Sequence, residues 1–304
     1  MEQTAAGQRE EASDETDRLA LRNVWSKNVL AQQGMSGTCS CGSATSSNPP
    51  TYVYALGNIE TRFPRPSVEK EFAQATGRAD TKGKTDREVF HTVLAKPENR
   101  YLARQLCWLF TVQGLETYLL QPRDPGDFTQ LIEAIRPSPT PSDIDIVIGM
   151  RGPIAPPELC NGLMVPIVVF DQLYSFDRTT LINSIPRPEN IAAKEFSSAA
   201  EELFDRIRQM TDNAGATDEH RALNYLAMRY SAIYARTTEC YGRNYALTAV
   251  DIRLSPLSGL RKIVEVVFTF THRQFDVSDK FFVRVDVTDE FPYLVSKLSP
   301  YFDR

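Results

Sequence analysis

Apolar residues recur with two different spacings along most of this chain, and the spacing predicts the secondary structure. From residue 51 onward, stretches rich in β-branched and aromatic residues are interspersed with stretches whose apolar residues lie three or four positions apart. The first pattern is typical of strands and the second of amphipathic helices. Strands are predicted at residues 52–57, 117–120, 143–150, 163–170, 247–254, 263–271 and 280–287. Helices are predicted at residues 67–75, 86–93, 100–110, 127–135, 179–185, 192–210, 218–241 and 291–298.

The order of these elements determines the predicted fold class. Strands and helices follow one another without a regular strand–helix–strand alternation, so a doubly wound parallel sheet is not expected. The segments 263–271 and 280–287 predict an antiparallel hairpin. A short loop joins the helices at 192–210 and 218–241, which predicts that they pack antiparallel. We therefore predict one α+β domain over residues 51–304, with a mixed or antiparallel sheet and packed helices.

Residues 1–50 differ in composition from the rest of the chain. They begin acidic and polar and end in a Gly-, Ser- and Thr-rich stretch closed by Pro49 and Pro50. Such a segment buries too little apolar area to offset the entropy lost on ordering the backbone. We predict a disordered or weakly structured tail, with one optional short helix around residues 19–30 that would dock on the domain or on a partner.

Composition and charge narrow the class of protein. Hydrophobic residues make up 42% of the chain and charged residues 24%, and the net charge is -5. No block of Lys and Arg stands out, so neither nucleic acid nor an anionic membrane is expected as a partner. The sequence contains neither an apolar run of eighteen residues nor a secretory signal. A cytoplasmic location is therefore predicted.

The five cysteines predict neither a disulfide framework nor a metal site. Their count is odd and an export signal is absent, so disulfides are not expected, and Cys107 is predicted to be a small buried hydrophobe. Cys39 and Cys41 would suit zinc or redox chemistry. A pair supplies only two of four zinc ligands, however, and Cys160 or a histidine would complete the site only if the tail folded back.

No motif for catalysis or cofactor binding is present. HExxH, GxSxG, P-loop and GxGxxG patterns are all missing, so no cofactor is predicted. His272 follows a predicted strand and suits a hydrogen-bonded sheet histidine better than a general base. Asp143 and Asp145 could hold a divalent ion, but a solvated strand face is the favoured interpretation. Asp218 as a helix N-cap, with Arg221 in the next turn, explains much of the polar stretch 212–225.

The proline-rich segment 151–162 is the most unusual loop. It is stiff, joins two predicted strands, and is long enough that both a binding role and a simple crossover fit it equally. The candidate binding residues are Arg151, Pro153, Pro156, Arg104 and Arg284.

Several strings of residues resemble one family. They lie at residues 52–57, 68–75, 99–108, 151–157, 166–172, 212–225 and 281–288, and they are similar to the C-terminal domain of the cyanobactin maturation proteins PatG and PatA. The resemblance implies a domain that lies behind a subtilisin-like protease acting on a ribosomally made precursor peptide. That domain has no assigned catalytic residues. Only about fifty residues precede it here and they hold no catalytic triad, so protease activity is not expected.

These observations lead to one preferred function and two alternatives. The preferred function is a non-catalytic accessory module that binds a precursor peptide or a peptide-maturation enzyme in a groove between helices and a sheet edge. The first alternative is a peptide-modifying enzyme that uses Cys160, His272 and Asp286. The second is a dimerisation scaffold, in which the partner is a second copy of the chain.

Overall fold

The computed structural model describes residues 51–77, 83–137, 143–185, 187, 191–210 and 212–302. The predictions made for residues 1–50, including Cys39 and Cys41, lie outside these residues.

The first half of the described chain is built around a closed five-stranded barrel. Its strands follow the order β1-β2-β3-β5-β4, and β4 pairs with β1 to close it. All neighbours are antiparallel except β3 and β5, which run parallel. The sheet is therefore mixed, as predicted. The strands are β1 (Thr51–Arg62), β2 (Cys107–Val112), β3 (Leu115–Pro122), β4 (Asp143–Ile154) and β5 (Pro166–Asp177).

Short helices contribute to the same core as the inward-facing side chains of the barrel strands. Phe110, Val147 and Phe170 belong to this core and are fully shielded from solvent. An aromatic cluster of Phe63, Phe72 and Phe90, with ring centroids 4.6–5.3 Å apart, packs at the helical side. These helices are α1 (Pro66–Thr76), α2 (Asp86–Leu94), α3 (Arg100–Ala103) and α4 (Phe128–Ala134), with short 3₁₀ turns at Pro97–Asn99 and Pro125–Asp127.

The second half consists of helices packed on an antiparallel sheet. The sheet has the order β6-β7-β8-β9, and a second core lies between it and the helices. The strands are β6 (Tyr245–Leu254), β7 (Ile263–His272), β8 (Ser278–Asp286) and β9 (Tyr293–Pro300). The helices are α5 (Arg178–Ser184), α6 (Ala193–Arg208), α7 (Asp218–Arg229) and α8 (Ala232–Gly242).

Helix α7 links the two halves. One of its faces contributes Leu223 and Leu226 to the core under the second sheet. Tyr225 and Met228 pack against that core and also against an apolar patch on the outside of β1 and β4. Since burial of apolar area is the main force for association, α7 holds the barrel against the second sheet. The α+β class is confirmed by this arrangement, with helices and two sheets in one chain.

Three element predictions were wrong. The apolar run ending in residues 107–110 was assigned to a helix, but helix α3 ends at Ala103 and β2 begins at Cys107, because short buried apolar runs suit either structure. The helix predicted at 218–241 is broken at Tyr230 and Ser231 into α7 and α8. The final segment, predicted as a helix, is strand β9, which hydrogen-bonds along β8.

The proline-rich segment and its cysteines also differ from expectation. Its first four residues belong to β4. The remainder, residues 155–162, forms with residues 163–165 a flap over the outside of β2, β3 and β5. Cys160 in the flap is disulfide-bonded to Cys107 in β2, with a Cα–Cα distance of 5.8 Å. The prediction of no disulfide was therefore wrong. The pairing could not be predicted from the local sequence, because 53 positions separate the two residues.

Candidate functional site

The connector, which we define as residues 212–217 between α6 and α7, lies directly against the barrel. The Tyr54 amide of β1 donates to the Gly215 carbonyl at 2.9 Å, and the Tyr118 hydroxyl donates to the Ala214 carbonyl at 2.8 Å. Ala214 also packs against the barrel core. Burial raises the pKa of Tyr118 to about 12, so the hydroxyl keeps its proton and remains a donor.

Two buried asparagines fix the connector to α7. Asn213 and Asn224 donate to each other at 2.8 and 3.1 Å. Asn224 also donates to the Tyr54 carbonyl at 2.8 Å. A buried polar network that is fully paired specifies one arrangement of its elements. The connector, α7 and strand β1 therefore form one hydrogen-bonded unit.

The N-cap of α7 is Thr217 and not Asp218 as predicted. The Thr217 side chain accepts from the His220 amide at 3.1 Å, and the backbone of Thr217 has the extended conformation of an N-cap. Asp218 is instead the first helical residue, where its carboxylate pairs with Lys262 at 3.0 Å.

Arg221 is a fully buried cation at the boundary between the two halves. Its side chain is 2% exposed and donates to the carbonyls of Val287 at 2.7 Å and Glu290 at 3.2 Å, and to that of Asp289. Its guanidinium lies 5.3 Å from the ring centroid of Tyr52. Burial lowers its pKa from the ordinary value, and Asp218 opposes that effect. The Arg221 Nε is buried and has no hydrogen-bond partner within the part of the chain that the structure describes.

A pocket of about 300 Å³ opens beside Arg221. It lies between the beginning of β1, the end of the connector with the first turn of α7, and Lys262 before β7. We call it the junction pocket, and it is lined by Thr51, Tyr52, Ala216, Thr217, Asp218, Glu219, Arg221 and Lys262.

The wall of the junction pocket includes an open strand edge. Peptide groups alternate sides along an antiparallel strand, and those of Tyr54 point away from β4 toward the connector. The peptide groups of Tyr52 therefore point the same way, into the pocket. Among the described residues, neither the Tyr52 amide nor its carbonyl has a hydrogen-bond partner on that side.

A carboxyl pair ties the barrel to the loop after β8. Asp171 in β5 is held by Arg123, whose Nη2 lies 2.7 Å from one carboxylate oxygen, and the Glu290 carboxyl hydrogen-bonds to Asp171. Burial, and then this bond and the charge of Asp171, raise the pKa of Glu290 to about 7. Glu290 therefore holds the proton that the pair shares near neutral pH.

This carboxyl pair predicts a pH dependence of stability. A raised pKa means that the folded state binds the proton of Glu290 more tightly than the unfolded chain does. The contribution of Glu290 to the free energy of unfolding is therefore complete below its ordinary pKa of 4.5 and is lost as the pH rises through about 7. Glu290→Gln is expected to flatten the fall in melting temperature between pH 5 and 8. Over this pH range the wild type should lose roughly 1 kcal/mol more of its free energy of unfolding than Glu290→Gln, or about 2–4 °C more in melting temperature. The effect is small because Glu290 is partly exposed.

Melting curves of the wild type and of Glu290→Gln at half-unit pH steps measure this effect. The exposed Glu158→Gln serves as the matched control and should keep the wild-type slope. An unchanged slope in Glu290→Gln would show that the pair does not share a proton in solution.

The predicted binding residues lie on different elements. Arg151 is in β4 and pairs with Thr51 at the wall of the junction pocket. Pro153 is in the same strand, whereas the exposed Pro156 is in the flap. Arg104 is exposed after α3. Arg284 is in β8 of the second sheet, where it pairs with the buried Glu265 at 2.8 Å.

The structure separates the three residues named for the enzyme alternative, so they do not form one site. Cys160 is bonded in the flap on the barrel. Asp286 pairs with Ile263 at the start of β7, whereas His272 ends β7, about 30 Å away at the rise of an extended strand. The His272 Nδ1 accepts from the Gln274 amide at 3.2 Å, as a hydrogen-bonded sheet histidine does.

The interpretation of Asp143 and Asp145 as a solvated strand face was also wrong. They are 8% and 1% exposed. Asp145 accepts from the Ile59 amide at 2.7 Å and from the Ser175 hydroxyl, and burial raises its pKa to about 6. Within the described residues, no group of three or more His, Cys, Asp or Glu side chains could hold a metal ion.

Sequence reasoning missed Tyr52, Asp171 and Glu290. Tyr52 and Asp171 lie in two of the strings that resemble the family. The local sequence does not mark any of the three as a site residue, because they meet only through the pairing of distant elements. The polar stretch 212–225 was a usable signal, since it holds the connector and Arg221.

Two comparisons with known proteins found a match, one to a family model and one to a solved structure. Residues 190–301 match the family model described as PatG C-terminal. A solved structure described as the PatG domain of unknown function superposes with a TM-score of 0.67 at 19% identity, covering 83% of this chain and 98% of that chain. No curated protein matches the sequence. The chain therefore has a fold similar to that of the PatG domain of unknown function, and its residues 190–301 match the family model described as PatG C-terminal.

Proposed function

We propose that this domain is a non-catalytic binding module that holds an extended peptide, or an extended segment of a partner protein, in the junction pocket. Its place would be the maturation of ribosomally synthesised, modified peptides, and its partner a precursor peptide or a maturation enzyme. The resemblance to the PatG C-terminal region supports that setting. The exposed edge of Tyr52 carries the binding proposal.

Strand addition at an open edge provides hydrogen bonds that do not depend on the peptide sequence. The Tyr52 amide and carbonyl would each gain a partner, and a typical bond contributes about 0.5–1.5 kcal/mol. The connector already occupies the next position along the same edge, at Tyr54. A bound peptide would therefore continue a pairing that the fold has begun.

The size and charges of the junction pocket suit a peptide. Its volume of about 300 Å³ lies at the lower end of the range for small-ligand pockets, which fits a few peptide residues better than a large cofactor. Lys262 and Asp218 provide one charge of each sign at the rim. Arg151, next to Thr51 in the sheet, is proposed to contact the peptide. Pro153, Pro156, Arg104 and Arg284 remain proposed binding residues to be tested one by one.

Peptide binding is expected to depend on Arg151. A labelled peptide, selected from a random decapeptide pool by capture on the immobilised domain, would be titrated into the protein by fluorescence anisotropy. Arg151→Ala should raise Kd roughly tenfold, the cost of one hydrogen bond to a charged group. The exposed Arg65→Ala, at the start of α1, should leave Kd unchanged. Equal affinities of the two variants would remove Arg151 from the site, and failure to capture any peptide would refute the function.

A homodimer and a cytoplasmic location are proposed as well. Strand β9 ends the order of the second sheet and exposes Tyr293 and Val295, so a homodimer could form by pairing of two β9 edges. A cytoplasmic location would place the protein where thiols are kept reduced, and Cys107 and Cys160 would then be free thiols. Among the described residues, none of the helices is both long and apolar enough to cross a membrane.

A further inference from the structure

We infer that the junction pocket selects peptides that carry a large apolar side chain within a few residues of a basic one. Exposed side chains of two neighbouring loops contact the apolar residue, and Glu219 pairs with the basic residue. This inference rests on the proposed function and adds to it the chemistry of the bound peptide.

Two loops at one end of the second sheet expose large apolar side chains. The loop between β6 and β7 exposes Leu257 by 63% and Leu260 completely, and the loop between β8 and β9 exposes Phe291 by 47%. The two loops are neighbours because β7 and β8 pair antiparallel. We call these three residues the loop patch. Single exposed apolar residues are normal on a protein surface, whereas a group of them marks an interaction surface.

The loop between β6 and β7 is ordered with its leucines outward. The Ser258 hydroxyl donates to the Ile263 carbonyl at 2.8 Å and accepts from the Ile263 amide at 3.1 Å. The Ser255 hydroxyl accepts from the Leu257 amide at 3.3 Å. The serine side chains are therefore bonded within the loop while its leucines face solvent. Because these bonds already order the loop, a ligand that covers the leucines pays little further entropy to fix it.

The loop patch is continuous with the junction pocket. Leu260 lies two residues before Lys262, which lines the pocket, and two residues of extended chain span at most about 7 Å. Phe291 directly follows Glu290, whose carbonyl accepts from Arg221, another residue that lines the pocket. A peptide of a few residues that fills the pocket therefore extends onto the loop patch.

The charges of the pocket favour a basic side chain on the peptide. Asp218 pairs with Lys262 at 3.0 Å, and Arg221 donates to three backbone carbonyls. Glu219 also lines the pocket, and it has no ion-pair or hydrogen-bond partner within the part of the chain that the structure describes. One carboxylate is thus left without a counter-charge, which favours a peptide with lysine or arginine at this place and disfavours an acidic one.

The inference is tested with four synthetic pools of ten-residue peptides that are capped at both ends. Each pool has either lysine or glutamine, and within three residues of it either leucine or serine, with neutral residues randomised elsewhere. The pools are mixed with the immobilised full chain, and captured peptides are counted by mass spectrometry. The wild type should capture the leucine pools roughly tenfold over the serine pools. It should capture the lysine pools roughly threefold over the glutamine pools.

Two variants separate the apolar contact from the charged one. Leu257→Ser/Leu260→Ser should bring the leucine-to-serine ratio close to one and leave the lysine-to-glutamine ratio unchanged, and Glu219→Gln should do the reverse. The substituted leucines are exposed, so the fold should persist, and melting curves verify this. Leu115→Ser at the start of β3 and Glu158→Gln in the flap, both at exposed positions, are the matched controls and should change neither ratio.

The outcomes distinguish the inference from the function beneath it. An unchanged leucine-to-serine ratio in Leu257→Ser/Leu260→Ser would overturn the loop patch, and an unchanged lysine-to-glutamine ratio in Glu219→Gln would overturn the role of Glu219. Equal capture of the four pools by the wild type, above the level of blank resin, would overturn the inference and leave the binding module standing. Capture at the level of blank resin would overturn the proposed function as well.

Sedimentation of the same proteins tests a different occupant of the loop patch. The wild type and Leu257→Ser/Leu260→Ser should have the same oligomeric state. A wild-type dimer that this variant converts to a monomer would show that a second copy of the chain covers the patch, and it would overturn the inference.

Discussion

Gly215→Ala is expected to lower the free energy of unfolding by about 2–5 kcal/mol. Gly215 has φ +70°, and a Cβ there would lie 2.2 Å from the Tyr54 carbonyl oxygen and 2.6 Å from the Ala55 Cα. The left-handed backbone alone costs a non-glycine residue about 1–2 kcal/mol. The overlap with the backbone of β1 adds about 1–3 kcal/mol, because neither strand nor connector moves without breaking its hydrogen bonds.

Gly114→Ala is the matched control for this prediction. Gly114 has φ +80°, but a Cβ there would meet nothing within 4 Å. The free energy of unfolding of Gly114→Ala should therefore fall only by the cost of the left-handed backbone, about 1–2 kcal/mol. Urea unfolding followed by circular dichroism measures both values. If the two variants lost the same stability, the connector would not press on β1 as closely as described.

Reduction of the Cys107–Cys160 disulfide is expected to lower the free energy of unfolding by about 4 kcal/mol. The bond closes a loop with a sequence separation of 53, and the chain-entropy model gives this magnitude for a loop of that length. Opening it also releases the flap of residues 155–165, which shields Leu109 and Leu119 on the outside of the barrel. The flap should therefore become susceptible to proteases when the protein is reduced.

Urea unfolding with and without reductant measures the contribution of the bond. The double variant Cys107→Ser/Cys160→Ser is the control and should unfold at the same urea concentration in both conditions. Cys240 is buried in the folded protein and is a free thiol. A wild-type midpoint that did not respond to reductant would show that the disulfide does not form in the purified protein.

The residue pattern was sufficient to predict helix α6 and the β7–β8 hairpin close to their observed bounds. The apolar residues of α6 recur at helical spacing, and the two strands are rich in β-branched and aromatic residues. Strand β2 has six buried residues in succession. Such a run has no periodicity, and a helix was predicted in its place.

The closed barrel and the junction pocket could not be predicted from local patterns. The barrel depends on β4 pairing with β1, across about ninety residues, and on the parallel pairing of β3 with β5. The pocket depends in turn on the connector lying against β1. Asp171 and Glu290 come together only when these pairings exist. Cys107 and Cys160 likewise come together only in the folded chain, and nothing in the sequence around either cysteine indicated that they pair.

Amide hydrogen exchange at Tyr52, followed by NMR in the free and the peptide-saturated protein, tests most directly whether the junction pocket binds a peptide by strand addition. We expect the Tyr52 amide to exchange freely without peptide and to be protected roughly tenfold or more when peptide is bound. The Tyr54 amide, already bonded to Gly215, should be protected in both states. Saturating peptide that left Tyr52 unchanged and instead protected another edge, such as β9, would contradict it.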